Sequence, residues 1–242
     1  MTTNRIRLGI NIDHIATLKT NRKTTYPSLV EAVKIAESSG ADLITVHLRE
    51  DRRHIKDLDL KKLCKKKIKI NLEMACNNKM LKIALRNMPN YVCIVPEKRK
   101  EITTEGGLNL NHNRPFLKKL INILKKRKIR ISLFIEPNLK DINEAKNLNA
   151  DCIEIHTGKI CNLINKNKNF TNELKRIKKA VKEGNKLGLE VHAGHGLTFK
   201  SAQILTKIKG IEEFNIGHFL IGESIFEGMS SVIKTFKKIL KS

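Results

Sequence analysis

The sequence predicts an α/β fold, a closed TIM-type (β/α)8 barrel. Three observations carry that expectation. The 242 residues of the chain are close to the ~250 typical of such barrels. Eight short apolar segments alternate with helical stretches from end to end, the pattern of parallel βαβ units. Five of those segments end in apolar residues alternating with polar, chemically capable ones: Ile10-Asn11-Ile12-Asp13, Ile44-Thr45-Val46-His47-Leu48-Arg49, Ile70-Asn71-Leu72-Glu73, Ile153-Glu154-Ile155-His156 and Phe214-Asn215-Ile216-Gly217-His218. Successive side chains of a strand point to opposite faces, so Asn11 shares a face with Asp13 and His47 with Arg49. An open doubly wound sheet would gather such residues at its switch point. Spread from the first strand to the last, they favour closure.

Strands are expected over 7–13, 42–48, 68–74, 90–95, 130–135, 151–156, 189–193 and 213–217. Helices are expected near 28–39, 57–66, 78–87, 114–128, 139–147, 170–187 and 199–208, with a last one near 224–241. Gly40 and Gly188 stand where helices should stop. No linker, low-complexity tract or repeat divides residues 1–242, so one catalytic domain is expected. Two connections are longer than barrel geometry demands: 14–27, with Thr17, Thr20, Arg22 and Thr24, and 96–113, with a Gly106-Gly107 hinge. On the reactive face of a barrel such segments serve as lids or as plain solvated loops.

The chain carries 48 Lys and Arg against 24 Asp and Glu, a formal charge of +24. Such a field attracts phosphates. Yet the lysines are spread over nearly every expected helix, and 4% aromatic residues with no Trp leave few platforms for stacking bases. A solvated, compositionally biased surface is expected, with no nucleic-acid partner. No apolar run of ~18 residues exists to span a membrane, and Met1 to Arg7 lacks the apolar core of a signal peptide. The five cysteines are odd in number and form no C-x-x-C pair, which suits structural filler in a reducing cytoplasm.

Glycines mark the loops expected after strands seven and eight, in His192-Ala193-Gly194-His195-Gly196 and Asn215-Ile216-Gly217-His218. Barrels commonly bind phosphate there through backbone N–H groups. His47, Glu73 and His195 should face the mouth, where imidazoles and a carboxylate can exchange protons near neutral pH. Glu73 has a structural alternative, a salt bridge to Arg49 or Arg22. A metal site has weaker support: His192 and His195 straddle a glycine loop, Asp13 adjoins His14, and Glu154 shares a face with His156. No H-x-H or H-E-x-x-H spacing occurs, so no metal is expected. No dinucleotide or P-loop fingerprint occurs either. Lys69, the one lysine at a strand end, is expected to face outward.

These blocks, together with Gly9 to Leu18, Thr45 to Ile55 (a Val-His-Leu-Arg-Glu-Asp-Arg-Arg-His run), Asn71 to Ala75, Val95 to Arg99, Thr103 to Gly107, Ile153 to Gly158, Ala193 to Thr198 and Asn215 to His218, resemble the pyridoxine 5′-phosphate synthase family. The resemblance implies a TIM barrel with extra helices, a cytoplasmic homo-octamer, and no metal or organic cofactor. It implies condensation of 1-deoxy-D-xylulose 5-phosphate with 3-amino-2-oxopropyl phosphate to pyridoxine 5′-phosphate, phosphate and water. By motif, His47 and Glu73 resemble proton acceptors, His195 a proton donor, and Glu154 a residue that stabilises the transition state. Asn11, Arg22, Gly196, Gly217 and His218 resemble contacts to the amino-ketone phosphate. Asp13, His14, Arg49, His54 and Thr103 resemble contacts to the deoxyxylulose phosphate. His192 departs from the family pattern, where Asn is expected. Two other readings compete: a different phosphosugar barrel (epimerase, isomerase or aldolase) and a basic nucleic-acid-binding protein.

Overall fold

The computed structural model describes residues 5–97 and 106–241. Eight parallel strands pair in chain order: β1 (Arg7–Asn11), β2 (Leu43–His47), β3 (Lys69–Met74), β4 (Tyr91–Ile94), β5 (Arg130–Ile135), β6 (Cys152–His156), β7 (Glu190–Gly194) and β8 (Glu213–Ile216). β8 pairs back onto β1, which closes the barrel. Between the strands run α1 (Asp13–Arg22), α2 (Leu29–Ser38), α3 (Asp57–Leu63), α4 (Asn78–Asn87), α5 (Arg114–Lys126), α6 (Leu139–Asn147), α7 (Gly158–Asn165), α8 (Thr171–Lys186) and α9 (Phe199–Leu205). Two more, α10 (His218–Glu227) and α11 (Met229–Ile239), follow β8.

The alternation in the strands sorts the side chains into two environments. Leu8, Ile44, Val46, Ile70, Leu72, Ile131, Leu133, Ile153, Ile155, Val191 and Phe214 are buried against the helices. They meet Val33 of α2, Ala84 of α4, Leu120 and Leu124 of α5, Ile177 and Val181 of α8, and Phe236 of α11 within one continuous core. Gly184 lets α8 approach β7 closely, since a Cβ there would stand 2.8 Å from Val191 Cγ2. The opposite parity is polar. The register sets Thr45 beside Asn71, His47 beside Glu73, Glu73 beside Cys93, and Glu154 beside His192. Barrels ordinarily fill their interior with branched aliphatics. This one buries Thr45, Asn71, Ser132, Glu154, His192 and Asn215 there instead.

Gly40 (φ +96°) and Gly188 (φ +72°) follow α2 and α8 in left-handed conformations, as expected of helix stops. The structure differs from expectation at three places. Residues 14–27 are not mainly loop, because α1 starts at Asp13, where the first strand was expected to continue. This helix buries only Asp13, Ile15 and Ala16, too little for an amphipathic signal. A second short helix, α7, begins at Gly158, a residue that argues against helix in sequence. The single helix expected near 224–241 is two, parted at Gly228 with φ +76°. Lys69 is also placed differently. It pairs with Leu43 on the parity of Asn71 and Glu73, and it is exposed at the far end of β3 from the mouth.

Candidate active site

The C-terminal ends of the strands open on a cavity of about 640 Å³ lined by Asn11, His14, His47, Glu73, Phe134, Glu154, His195, Gly196, Asn215, Gly217 and His218, with Val95, Pro96 and Gly106 at its edge. Residues from all eight strand ends or the loops after them therefore meet in one cup, as alternation with period two requires once the sheet is closed.

His47 ends β2. Its Nε2 lies 3.0 Å from Glu97 Oε1 and its Nδ1 lies 3.8 Å from Glu73 Oε2. The second Glu97 oxygen accepts from the Glu50 N–H at 2.9 Å. Burial opposes ionisation of Glu97, but the His47 and Glu50 hydrogen bonds and the Arg49 charge hold its carboxyl below the usual range. Glu73 is the reverse case. Burial, then the charges of Glu154 and Asp13, push it well above the ordinary carboxylate value.

Glu154 is buried beneath them, and burial raises its pKa to about 7 against the lowering pull of His192 and of a hydrogen bond from Asn215. The Asn215 Nδ2 donates at 2.9 Å to Glu154 Oε2 and at 3.2 Å to Glu213 Oε1, and its Oδ1 accepts from Thr45 Oγ1 at 3.0 Å. Two glycines make room for this pair: a Cβ at Gly194 would collide with Glu154 Oε1, and one at Gly9 with Asn215 Oδ1. His195 stands exposed at the mouth on the turn after β7. Crowding by the surrounding protein, and then His156, lower its pKa from the ordinary imidazole value.

Asn11 ends β1 and donates to Asp13 Oδ2 at 3.1 Å, while Asp13 Oδ1 accepts the His47 N–H at 2.9 Å. Burial raises Asp13 to about 6, with those hydrogen bonds pulling the other way. His14 and His218 face each other across the mouth, ring centroids 5.0 Å apart. Burial and the neighbouring His218 and His54 lower His14, and its Nδ1 is buried with no hydrogen-bond partner among the described residues. Gly217 caps α10, whose first residue is His218. Arg49 and His54 lie on the loop after β2. Arg49 Nε is 3.5 Å from Asp51, and His54 Nδ1 is 2.6 Å from Thr17 Oγ1.

Arg22 ends α1 and is exposed, outside the residues that line the cavity. Neither Arg22 nor Arg49 pairs with Glu73, whose ion-pair contact is His47. Thr103 lies outside the described residues, as does much of the 96–113 connection. Sequence reasoning missed Asn215, Glu97 and Phe134 as site residues. Asn215 and Glu97 both belong to the strand-end blocks singled out above, so the signal was present.

Among the described residues two groups have cation-compatible spacing, Asp13 with His47 and Glu73, and Cys152 with Glu190 and His192. The side chains of both groups already have protein partners. In the first, Asp13 is already engaged by the Asn11 side chain and the His47 N–H, and His47 by Glu97. The second is already filled by a cation, the Arg7 guanidinium, which contacts Glu190 and lies 3.4 Å from His192 Nε2. Burial pushes the Cys64 thiol up to about 11 and the Cys93 and Cys161 thiols upward as well, which suits inert packing. Among the described residues no helix is long and apolar enough to cross a membrane.

A closed β/α barrel that gathers imidazoles and proton-retaining carboxyls at its C-terminal mouth defines an enzyme working by acid–base chemistry. Residues 8–242 match the family described as pyridoxal phosphate biosynthesis protein PdxJ. A pyridoxine 5′-phosphate synthase of Pelagibacter ubique is 56% identical over 96% of this chain and 98% of its own length. One of Sulfurihydrogenibium sp. is 50% identical over 97% and 98%. Among solved structures, tryptophan synthase from M. tuberculosis in its aminoacrylate-bound form shares the fold alone, with TM-score 0.65, 9% identity, and 98% of this chain and 94% of that one covered. The chain belongs to the pyridoxine 5′-phosphate synthase family and is an enzyme of pyridoxine 5′-phosphate formation.

Proposed function

We propose that the chain condenses 1-deoxy-D-xylulose 5-phosphate with 3-amino-2-oxopropyl phosphate, giving pyridoxine 5′-phosphate, phosphate and water, through proton transfers by its own side chains. The observation that carries this reading is the meeting of His47, Glu73, Glu154 and His195 around one cavity. Imine formation between amine and ketone, proton removal beside carbonyl carbons, loss of phosphate and water, and ring closure are all proton movements or leaving-group assistance. They need well-placed groups worth on the order of 10²–10⁴-fold each, and no lysine adduct.

His47 and Glu73 act as proton acceptors. Glu97 holds His47 Nε2, which orients the ring and leaves Nδ1 turned towards Glu73. Burial, and then the charges of Glu154 and Asp13, push Glu73 well above the ordinary carboxylate value, while burial and the Glu213 charge raise Glu154 to about 7. Each can therefore give a proton as well as take one. Glu154, aligned by Asn215, stabilises charge that develops on the substrate. His195, on the turn after β7, gives a proton to leaving oxygen.

Two phosphates need two anion sites. Gly196, Gly217 and His218, with the amides opening the ten-residue α10, hold the amino-ketone phosphate together with Asn11 and Arg22. Asp13, His14, Arg49, His54 and Thr103 serve the deoxyxylulose phosphate. His14 Nδ1, buried with no hydrogen-bond partner among the described residues, supports a ligand there, since buried polar atoms ordinarily find partners. Residues 1–242 act as one catalytic domain in a cytoplasmic homo-octamer. The test is direct: purified protein, both phosphates and no added metal should give fluorescent pyridoxine phosphate. Folded protein that makes none contradicts the reading.

A further inference from the structure

The end of β6 and the residues after it, His156-Thr157-Gly158, border the mouth yet carry none of the roles above. They surround a strained residue. His195 has φ +76°, a left-handed conformation unfavourable for a residue with a β-carbon, and one that persists only where neighbours enforce it. Thr157 supplies that enforcement. Fully buried, it places Oγ1 2.7 Å from the Gly194 carbonyl and 2.9 Å from the His195 carbonyl. Its backbone N–H donates to the same Gly194 carbonyl at 2.9 Å.

The side chain of His195 has its own support. The His156 ring lies with its centroid 4.9 Å from that of His195, the planes tilted by 55°, and Phe134 flanks His156 at 5.1 Å. The His156 ring is itself held, because its Nδ1 is 3.1 Å from Glu136 Oε1. Glu136 also accepts from the Gly107 N–H at 2.8 Å and from Arg176 at 3.3 Å. Both imidazoles close over Gly158. A Cβ at that position would come within 2.8 Å of His156 Nε2 and 2.9 Å of His195 Cδ2.

We propose that Thr157 and His156 are positioning residues for His195, the hydroxyl fixing the left-handed turn and the ring, anchored by Glu136, fixing the imidazole above the cavity. This rests on the reading of His195 as the proton donor. Misplacing a reacting group by about 1 Å can cost roughly 10²-fold. Substrate phosphates held elsewhere in the cup would still bind, so the loss should fall on kcat and spare KM.

The experiment compares steady-state kinetics of the purified enzyme carrying T157V, T157S, H156N or H195N. T157V keeps shape without the hydroxyl and should lower kcat at least about tenfold with KM within about threefold. T157S restores the hydroxyl and should return kcat to within about threefold of the parent. H156N keeps an amide for Glu136 but removes the ring, and should lower kcat about tenfold. If T157V does not fold, H156N alone decides. Parental kcat in folded T157V or H156N, or a T157S no better than T157V, overturns the proposal. H195N separates the two layers of inference. An inactive H195N beside normal Thr157 and His156 variants sinks only the positioning role, whereas an active H195N removes the donor assignment with it.

Discussion

The floor and the mouth of the barrel interior are built from the same residue types and hold their protons in opposite ways. At the mouth, burial raises Glu73, Glu154 and Asp13, with repulsion from neighbouring carboxylates adding to it for Glu73 and Glu154. At the floor, Glu190 is held far below the ordinary carboxylate range: burial opposes this, but hydrogen bonds and charge from His192, Arg130 and Arg7 prevail. His192 is likewise pulled down by burial, yet Glu213, Cys152 and Glu190 hold it well above the ordinary imidazole value. The difference lies in the cations. Arg7 reaches Glu190 and Glu213, and Arg130 lies 2.8 Å from Glu190. The floor is thus an ion-paired plug with fixed charges. The mouth, poorer in counter-ions, leaves its protons negotiable, which is what a sequence of proton transfers requires.

The largest expected effect separates the two regions by activity. E73Q should lower kcat at least ~10²-fold, as loss of a positioned acid or base does. E190Q, on the same scale, should stay within about threefold. Parallel steady-state assays decide it, and equal losses from the two variants would dissolve the division of labour. Next comes stability. Arg7→Met leaves Glu190 and Glu213 without their shared cation, and removing one partner of a buried ion pair costs on the order of 3 kcal/mol. Arg7 is 29% exposed, so the loss should fall at or below that figure. It would appear in thermal melts as roughly 5–10 °C, with kcat at 25 °C little changed.

At the mouth the sign reverses. Folded Glu154 keeps its proton to about pH 7, against an ordinary value of 4.5. Between those values the native state binds more protons than the unfolded chain, so stability falls as pH rises through that window. E154Q has no proton to lose, and its amide oxygen can still accept from Asn215. It should melt with the parent at pH 4.5 and above it at pH 8, by on the order of 2 kcal/mol, while losing activity. Melts at both pH values check this, and an E154Q less stable than the parent at pH 8 removes the claim that Glu154 is held against its charge.

The mouth was far more legible in sequence than the floor, for a physical reason. His47, Glu73 and Glu154 sit within strand segments where polar and apolar residues alternate, and that period alone assigns them a face. Asn215 obeys the same rule but stood beside a glycine turn that drew the attention. The floor depends on closure. Arg7 meets Glu190 and Glu213 across 183 and 206 positions of sequence. At the N-terminal ends of strands such charges read as ordinary solvated residues until β8 is laid against β1. His192 reads in sequence as a weak metal candidate or a departure from the family pattern, because nothing local shows that two carboxylates await it. The helix α1 escaped for the opposite reason, having almost no apolar face to betray it.

His192 joins the two regions and gives the smallest predicted effect. Its Nε2 is 2.8 Å from Glu190 and its Nδ1 3.3 Å from Glu213, with Arg7 alongside, Cys152 on β6 beside it, and Glu154 its register neighbour. With its pKa raised above 6.5, the ion pairing contributes fully below that pH and is lost as pH rises through the folded value. H192N should therefore be less stable than the parent by about 1 kcal/mol below pH 6.5, with the gap narrowing in alkaline solution. The charge of His192 also lowers Glu154 from below. Its loss should let Glu154 climb further and displace the kcat profile to higher pH, so a variant at the sealed end would be read at the open one. An unchanged profile in folded H192N would mean that the plug serves stability alone.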